Sequence, residues 1–251
     1  MSFTGKVVLI TGASSGIGAG TAEHFSQLGA SLALVGRNAN NLSEVIQKCG
    51  ESPVLPIIAD VNKDAKDIVE KTIAHFGRLD VLVNNAGVGV KSSIESTSME
   101  PYDYIMTTNL RSVYELTIYA VPHLIATKGN IVNVSSTAGL RASTVVLTYC
   151  MSKAALDQFT KCISLELAPK GVRVNSVNPA VIRTNFHKNM GFNEEEYRLY
   201  LENCKKSHAL GRVGEVSEVA EAIAFLASDS ASFITGTLLP VDGGKINMCP
   251  R

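Results

Sequence analysis

A tyrosine and a lysine four positions apart, Tyr149 and Lys153, are the residues whose types and spacing point most directly to chemistry. Residues at positions i and i+4 lie on one face of an α-helix, so a helix here would bring the phenol and the ammonium together. A free phenol has a pKa of about 10, and a neighbouring positive charge lowers it. Such a pair can donate a proton to a carbonyl oxygen or accept one from an alcohol. Because this spacing also arises by chance, its interpretation depends on the surrounding motifs.

A glycine-rich segment, residues 11–18 (Thr-Gly-Ala-Ser-Ser-Gly-Ile-Gly), follows the first apolar run and opens a helical pattern. Glycines permit a tight turn and a close approach of the backbone to a phosphate, and the free N–H groups of a helix N-terminus attract the anion. Any strand-to-helix turn can collect glycines. A position directly after the first strand of an alternating chain nevertheless predicts a nucleotide site.

Apolar segments rich in Val, Ile and Leu alternate with helical patterns along the whole chain. The predicted strands are 6–11, 31–35, 54–59, 81–83, 130–134, 173–177 and 237–240, and the predicted helices are 17–28, 41–49, 66–76, 102–125, 149–168 and 216–227. Continuously apolar strands are typical of a sheet covered on both faces, and repeated strand–helix units favour parallel pairing. We therefore predict one α/β domain over residues 1–251, a doubly wound parallel sheet of Rossmann type with about seven strands. Residues 185–208 fall outside the pattern and are the predicted substrate lid.

Taken in order, these motifs resemble the short-chain dehydrogenase/reductase family. The resemblance covers nearly the whole chain and includes residues 84–87 (Asn-Asn-Ala-Gly) and a serine thirteen positions before Tyr149, Ser136. It implies hydride transfer between a nicotinamide cofactor and a carbonyl compound or secondary alcohol. In that reaction Tyr149 would transfer the proton, Ser136 would bind the substrate oxygen, and Lys153 would tune both the tyrosine and the cofactor ribose.

Two further assignments depend on the resemblance. Asn109 matches the family's helix asparagine, which holds a water and Lys153 in a proton relay, although a buried amide closing a helix kink is an alternative. Ser135 is the neighbour that competes with Ser136, and the thirteen-residue offset favours Ser136. The predicted catalytic set is Asn109, Ser136, Tyr149 and Lys153.

The end of the second strand bears on which cofactor is bound. An acidic residue there would hold the ribose hydroxyls and select NAD, but this chain has Gly36-Arg37-Asn38. Arg37 can grip a 2′-phosphate through paired donors, so NADP(H) is predicted, although a solvated surface arginine is an alternative. The predicted cofactor-binding residues are Gly12, Ser14, Ser15, Gly16, Ile17, Gly18, Arg37, Asp60, Val61, Asn85, Ala86, Gly87, Tyr149, Lys153, Pro179, Ile182 and Thr184.

Three positions in this set carry open questions. Asp60 resembles the family's adenine contact but equally suits a helix N-terminus. Asn85 has a purely structural alternative. The family usually shows Pro-Gly where this chain has Pro179-Ala180, and the extra methyl group would narrow the slot for the nicotinamide ring.

The substrate is predicted only by class. The lid contains Phe186, Met190, Phe192 and Tyr197, which favour an apolar ketone or aldehyde of steroid, isoprenoid or 3-oxoacyl type. The same side chains could instead pack the lid onto the domain. The alternative function is a catalytically silent NADP(H)-binding regulatory protein, which would lack the Tyr–Lys–Ser group.

Composition argues against other classes of function. Lys plus Arg and Asp plus Glu number 23 each, which removes the basic excess expected for nucleic-acid binding, and no run of like charges suggests a membrane surface. Five scattered cysteines favour free thiols in a reducing cytoplasm, and five dispersed histidines predict no metal site. The ending at residues 240–244 (Pro-Val-Asp-Gly-Gly) matches family members that are commonly homotetramers.

Overall fold

A parallel β-sheet runs through the centre of the computed structural model, which describes residues 1–95 and 98–248. Its strands are β1 (Val7–Thr11), β2 (Ser31–Gly36), β3 (Val54–Ile58), β4 (Val81–Asn84), β5 (Asn130–Val134), β6 (Arg173–Pro179) and β7 (Leu238–Val241). The spatial order is β3-β2-β1-β4-β5-β6-β7, and every neighbouring pair is parallel. The chain direction across the sheet reverses between β1 and β4, which opens a crevice at the carboxyl ends of these strands.

Helices cover both faces of the sheet. They are α1 (Gly16–Gln27), α2 (Ala39–Lys48), α3 (Ala65–Phe76), α4 (Met99–Met106), α5 (Ser112–Thr127), α6 (Thr137–Leu140), α7 (Leu147–Leu167), α8 (Phe186–Asn189), α9 (Glu194–Lys205) and α10 (Val216–Ala227). A π-helical turn, Thr107–Arg111, joins α4 to α5. None of the helices in the described part of the chain is long and apolar enough to cross a bilayer.

Side chains alternate between two hydrophobic cores along each central strand. On β1, Val8 and Ile10 pack into the core formed with α1, α2 and α10, whereas Val7 and Leu9 pack into the core formed with α3 and α5. A strand whose successive side chains point to opposite faces must be apolar throughout when both faces are covered. The predicted doubly wound parallel sheet is therefore confirmed, and each predicted strand ends within two residues of the observed one.

Helix boundaries differ from prediction where distant residues take part. The predicted helix 102–125 is divided by the π-helical turn, and α7 begins at Leu147 rather than at Tyr149. Ser92, far away in sequence, accepts a hydrogen bond from the Thr148 amide through its side chain at 3.2 Å. This contact satisfies a free N–H group of the first turn of α7, so the helix extends beyond the pattern visible in the sequence.

The predicted lid contains two helices that the prediction left out, α8 and the longer α9. Helix α9 begins with a capping box, in which the Asn193 side chain accepts from the Glu196 amide and the Glu196 carboxylate accepts from the Asn193 amide. An Asn followed by Glu three residues later is a signal of a helix start that is readable from sequence. Most residues of α9 are polar, so its apolar periodicity is too weak to indicate a helix.

Candidate active site

The crevice at the carboxyl ends of β1, β4, β5 and β6 is a cavity of about 980 Å³. Its walls come from the glycine-rich segment, the ends of β2 and β4, the start of α7 and the lid. Every predicted catalytic or cofactor-binding residue lines this cavity except Gly18 and Asn109, which lie directly behind its wall. Motifs spread over most of the chain thus meet at one place.

The glycine-rich segment packs tightly against the end of β4. Gly12 has a φ of +63°, and a Cβ there would lie 2.9 Å from the Ala86 Cα. Gly18 is buried in α1, and its missing Cβ would lie 2.3 Å from the Gly12 carbonyl oxygen. Gly18 therefore supports the loop from behind, where only glycine permits this approach.

The N-terminus of α1 faces the cavity with unused amide groups. Ser15 precedes the helix without a side-chain capping bond, and the first turn contains no acidic residue. The first N–H groups of a helix lack intrahelical partners and carry the positive end of its dipole. Ser14, Ser15, Gly16 and Ile17 line the cavity here, and this cradle fits the pyrophosphate of a dinucleotide.

Asn85 ties the end of β4 to the glycine-rich segment. Its Nδ2 donates to the Thr11 and Gly12 carbonyl oxygens at 2.8 and 3.2 Å, and the Thr11 hydroxyl accepts from the Asn85 and Ala86 amides at 3.0 Å each. Asn85, Ala86 and Gly87 also line the cavity. The Asn85 side chain therefore has a structural task in addition to the predicted cofactor contact.

Arg37 and Asp60 lie at the far end of the cavity, beyond β2 and β3. Arg37 is exposed and lines the cavity, with no ion pair among the described residues. Asp60 accepts from the Asn62 amide at 3.0 Å, and Asp64 is the residue that directly precedes α3. Asp60 is thus not the helix N-terminal residue, and it lines the cavity beside Val61.

Ser136, Tyr149 and Lys153 meet in the middle of the cavity. The Ser136 side chain, at the end of β5, is the hydrogen-bonding neighbour of the Tyr149 phenol and accepts from the Ala138 amide at 3.1 Å. Lys153 Nζ donates to the Val134 carbonyl oxygen at 2.8 Å and lies 5.7 Å from the centre of the Tyr149 ring. The Ser135 hydroxyl instead donates to the Lys153 carbonyl oxygen at 3.3 Å. Of the two serines, Ser136 is the one that contacts Tyr149.

The pKa values at this centre differ from the expectation drawn from spacing. Burial raises the pKa of Tyr149 to about 12, although the Ser136 hydrogen bond opposes the shift. Burial also lowers the pKa of Lys153 to about 8, against the charge of Asp157, which raises it. Burial is the largest cause of both shifts, and the Lys153 ammonium donates to the Val134 carbonyl oxygen. Tyr149 is consequently a neutral proton donor at neutral pH.

Asn109 occupies the π-helical turn and is fully buried. Its Oδ1 accepts from the Val88 amide at 2.8 Å, and its Nδ2 donates to the Val88 carbonyl oxygen at 2.9 Å and to the Ser152 hydroxyl at 3.1 Å. A Cβ built on Gly87 would lie 3.4 Å from Asn109 Oδ1 and 3.5 Å from Lys153 Nζ. Asn109 therefore links the π-helical turn to Val88 and Ser152, and it also lies near Lys153.

The segment after β6, where the sequence predicts the nicotinamide contacts, forms another part of the cavity wall. Pro179, Ile182 and Thr184 line it, together with Ala180. Ala180 does not have a left-handed backbone, so an alanine is accommodated there without strain. Ala180 lines the cavity, and the narrowing of a nicotinamide slot by its methyl group stays a prediction.

The lid contributes apolar and aromatic side chains. Phe186, Met190 and Phe192 line the cavity, whereas Tyr197 is buried behind it and donates its hydroxyl to the Thr184 carbonyl oxygen at 2.8 Å. His187 and Tyr200 of the same segment also line the cavity, and their ring centres are 4.6 Å apart. The capping box of α9 would have placed Tyr197 and Tyr200 on one helix, three positions apart.

The family of the chain follows from comparison with known proteins. The family model described as enoyl-(acyl carrier protein) reductase matches residues 12–245. With the parallel sheet and the Ser–Tyr–Lys centre, this shows that the chain belongs to the short-chain dehydrogenase/reductase family of oxidoreductases, which bind a nicotinamide cofactor. The predicted resemblance is confirmed.

Relatives of this chain differ in the substrates that their names state. A 3-oxoacyl-(acyl-carrier-protein) reductase of Thermotoga maritima is 37% identical over 98% of this chain and 100% of its own length. A meso-2,3-butanediol dehydrogenase of Serratia marcescens is 37% identical over 97% of this chain and 96% of its own. The crystal structure of a short-chain dehydrogenase/reductase from Caenorhabditis elegans, solved with cofactor, superimposes with a TM-score of 0.93 at 36% identity, covering 98% and 97% of the two chains.

Proposed function

We propose that this protein uses NADP(H) to reduce an apolar ketone or aldehyde to the corresponding alcohol. The observation that carries the proposal is the meeting of Ser136, Tyr149 and Lys153 in a cavity that also contains an uncapped helix N-terminus. When bound, the nicotinamide supplies the hydride, and the protein contributes binding, orientation and the proton.

The protein's own steps centre on the substrate oxygen. Ser136 and Tyr149 hold the carbonyl oxygen by hydrogen bonds, and Tyr149 donates its proton as negative charge develops there. A neutral phenol suits this direction, since the pKa of Tyr149 is raised to about 12. The Lys153 ammonium stabilises the phenolate that remains. Asn109, close to Lys153 across Gly87, is proposed to hold the water that returns a proton.

The cofactor would extend from the lid to Arg37. The α1 N-terminus would hold the pyrophosphate, Asp60 and Val61 the adenine, and Ile182 and Thr184 the carboxamide. Arg37 favours NADP(H), because its guanidinium can form paired bonds with a 2′-phosphate and no carboxylate follows β2 to repel one.

The direct test is nicotinamide absorbance during turnover of a panel of steroid, isoprenoid, 3-oxoacyl and small aromatic carbonyl compounds, with NADPH and NADH in parallel. We expect NADPH-preferring turnover that falls by about 10³-fold or more in Tyr149→Phe, since the general acid is lost. The matched control Tyr114→Phe, an exposed tyrosine on α5, should keep full activity. An Arg37→Gln variant should lose the preference for NADPH.

Two results would overturn parts of this proposal. Tight NADPH binding without turnover of any carbonyl compound would favour the silent binding protein. A preference for NADH in the unmodified enzyme would refute the role given to Arg37.

A further inference from the structure

Four basic side chains surround the lid end of the cavity. Lys91, Arg141, Lys206 and Lys245 line it, and within residues 1–95 and 98–248 none of them forms an ion pair. Asp60 is the one carboxylate among the described lining residues, and it lies at the opposite, adenine end. The substrate end of the cavity is therefore positively charged in a chain whose net charge is zero.

Arg141 is anchored by hydrogen bonds, and Lys245 is half-buried. Arg141 Nη1 donates to the Met248 and Lys245 carbonyl oxygens at 2.9 and 3.4 Å, which fixes the guanidinium against the turn that carries Lys245. After burial, the charge of Lys245 is the second cause that lowers the pKa of His187; it also opposes the rise that burial causes in the pKa of Cys204. Its field thus reaches the interior of the substrate end and is not confined to solvent.

A second observation concerns the same end of the cavity. His187 lines the cavity, and its Nδ1 atom is buried without a hydrogen-bond partner among the described residues. Burial and the Lys245 charge lower the pKa of this imidazole to about 4, so it is neutral at physiological pH. Buried polar atoms in proteins are ordinarily paired, so an unpaired one in a residue that lines a cavity indicates a missing partner such as a ligand or water.

We propose that the substrate is a carbonyl compound bearing an anionic group, a carboxylate or a phosphate, which binds between Lys245 and Arg141. This inference rests on the proposed function and narrows its substrate class. The reacting carbonyl lies at Tyr149, the apolar body packs against Phe186 and Phe192, and the anion meets the basic end. Lys91, whose Nζ is 4.4 Å from the centre of the Phe192 ring, and Lys206 border the entrance.

The cofactor does not account for these charges. Its phosphates are already assigned to the α1 N-terminus and to Arg37, which lie on the other side of Tyr149 along the cavity. Solvated surface lysines would explain Lys91 and Lys206, but they do not explain a half-buried Lys245 or an anchored Arg141. The pattern fits recognition of an anion by a preorganised guanidinium and an ammonium.

Matched substrates test the proposal. With NADPH as the cofactor, medium-chain oxo acids are compared with their methyl esters. Phosphate esters of hydroxyketones are compared with the unphosphorylated hydroxyketones. We expect kcat/KM to favour the anionic member at least about tenfold, and Lys245→Gln and Arg141→Gln each to remove most of that preference through KM. In both variants, kcat/KM for the uncharged methyl esters and hydroxyketones should not change. In the control Lys170→Gln, at an exposed lysine after α7, kcat/KM should not change for any substrate. High salt should reduce the preference. The better of the two anions identifies the group.

A binding experiment separates this inference from the proposed function. Octanoate and octanamide are titrated into the enzyme–NADPH complex by calorimetry, with and without Lys245→Gln. Tighter binding of octanoate that is lost in the variant, without turnover of any carbonyl compound, would support the anion site and refute the reductase. Turnover in which acids and esters are equivalent, with no difference between the two ligands in binding, would refute the anion site and leave the reductase standing.

Discussion

At the scale of single residues, Asp157 is the charged side chain that acts on the pKa of Lys153. It is buried one helical turn after Lys153 and accepts from Asn178 Nδ2 through both carboxylate oxygens at 3.0 Å. Its negative charge raises the pKa of Lys153, opposing the burial that lowers that pKa to about 8. We therefore propose that Asp157 is a positioning residue whose charge favours the protonated form of Lys153.

A pH profile tests this relation. We expect kcat/KM for NADPH to be level below about pH 8 and to fall above it as Lys153 loses its proton. Asp157→Asn should move this limb to lower pH, because the charge that raises the lysine pKa is removed. Since the folded pKa lies below the usual 10.5, this group's effect on folding stability becomes more favourable as pH rises from about 8 to 10.5. An unchanged limb in a folded Asp157→Asn protein would contradict the role.

At the scale of elements, the α1–β4 contact decides whether the phosphate cradle forms. A methyl group on Gly18 would lie 2.3 Å from the Gly12 carbonyl oxygen and 2.5 Å from Asn85 Nδ2, so α1 would have to move away from the loop. By contrast, a methyl group on Gly20 in the same helix would meet the Val216 side chain, at 2.2 Å, on the α10 side.

These two glycines form a matched pair for experiment. We expect Gly18→Ala to weaken NADPH binding at least about tenfold and to lower the free energy of unfolding by about 1–3 kcal/mol. Gly20→Ala should lower stability by a similar amount and leave NADPH affinity within about twofold, because no residue of α10 lines the cavity. Fluorescence titration and thermal unfolding measure the two effects. Equal losses of affinity in both variants would contradict a specific role for Gly18.

The secondary-structure elements differ in how well local sequence pattern predicts them. The strands and the helices α1, α2, α3 and α10 follow from apolar periodicity, because each buries its own stripe against the sheet. The π-helical turn and the early start of α7 do not follow from it. They depend on hydrogen bonds from Asn109 to Val88 and from Thr148 to Ser92, partners that only the folded chain brings near.

At the scale of the whole molecule, exposed apolar side chains cluster on two separate faces. Leu165 on α7 is 77% exposed, Tyr114 and Ile118 on α5 are also exposed, and Phe233 before the edge strand β7 is fully exposed. Tyr114 contacts Phe159 of α7, with ring centres 5.5 Å apart. We propose a homotetramer in which one twofold axis pairs α5 and α7 and another pairs the β7 edges, since two self-complementary faces generate such an assembly.

Light scattering after size-exclusion chromatography tests the assembly. Leu165→Glu and Phe233→Glu are each expected to yield dimers, because each places a charge in one interface, and the double variant is expected to yield monomers. Leu199→Glu, at a half-exposed leucine in the lid, should leave the size unchanged. A monomeric unmodified protein would refute the proposal.

The sequence by itself determined the sheet, the glycine-rich turn after β1 and the family, because these depend on local spacing: apolar runs, glycines after a strand and a Tyr–Lys pair on one helix face. Only the tertiary structure decided the direction of the Tyr149 and Lys153 pKa shifts, since desolvation depends on what surrounds the pair. It alone joined Asp157 and Asn178, and it gathered Lys91, Arg141, Lys206 and Lys245 from four separate segments. Charged residues that are scattered along a sequence of zero net charge can form a binding site only when the fold brings residues of the same sign together.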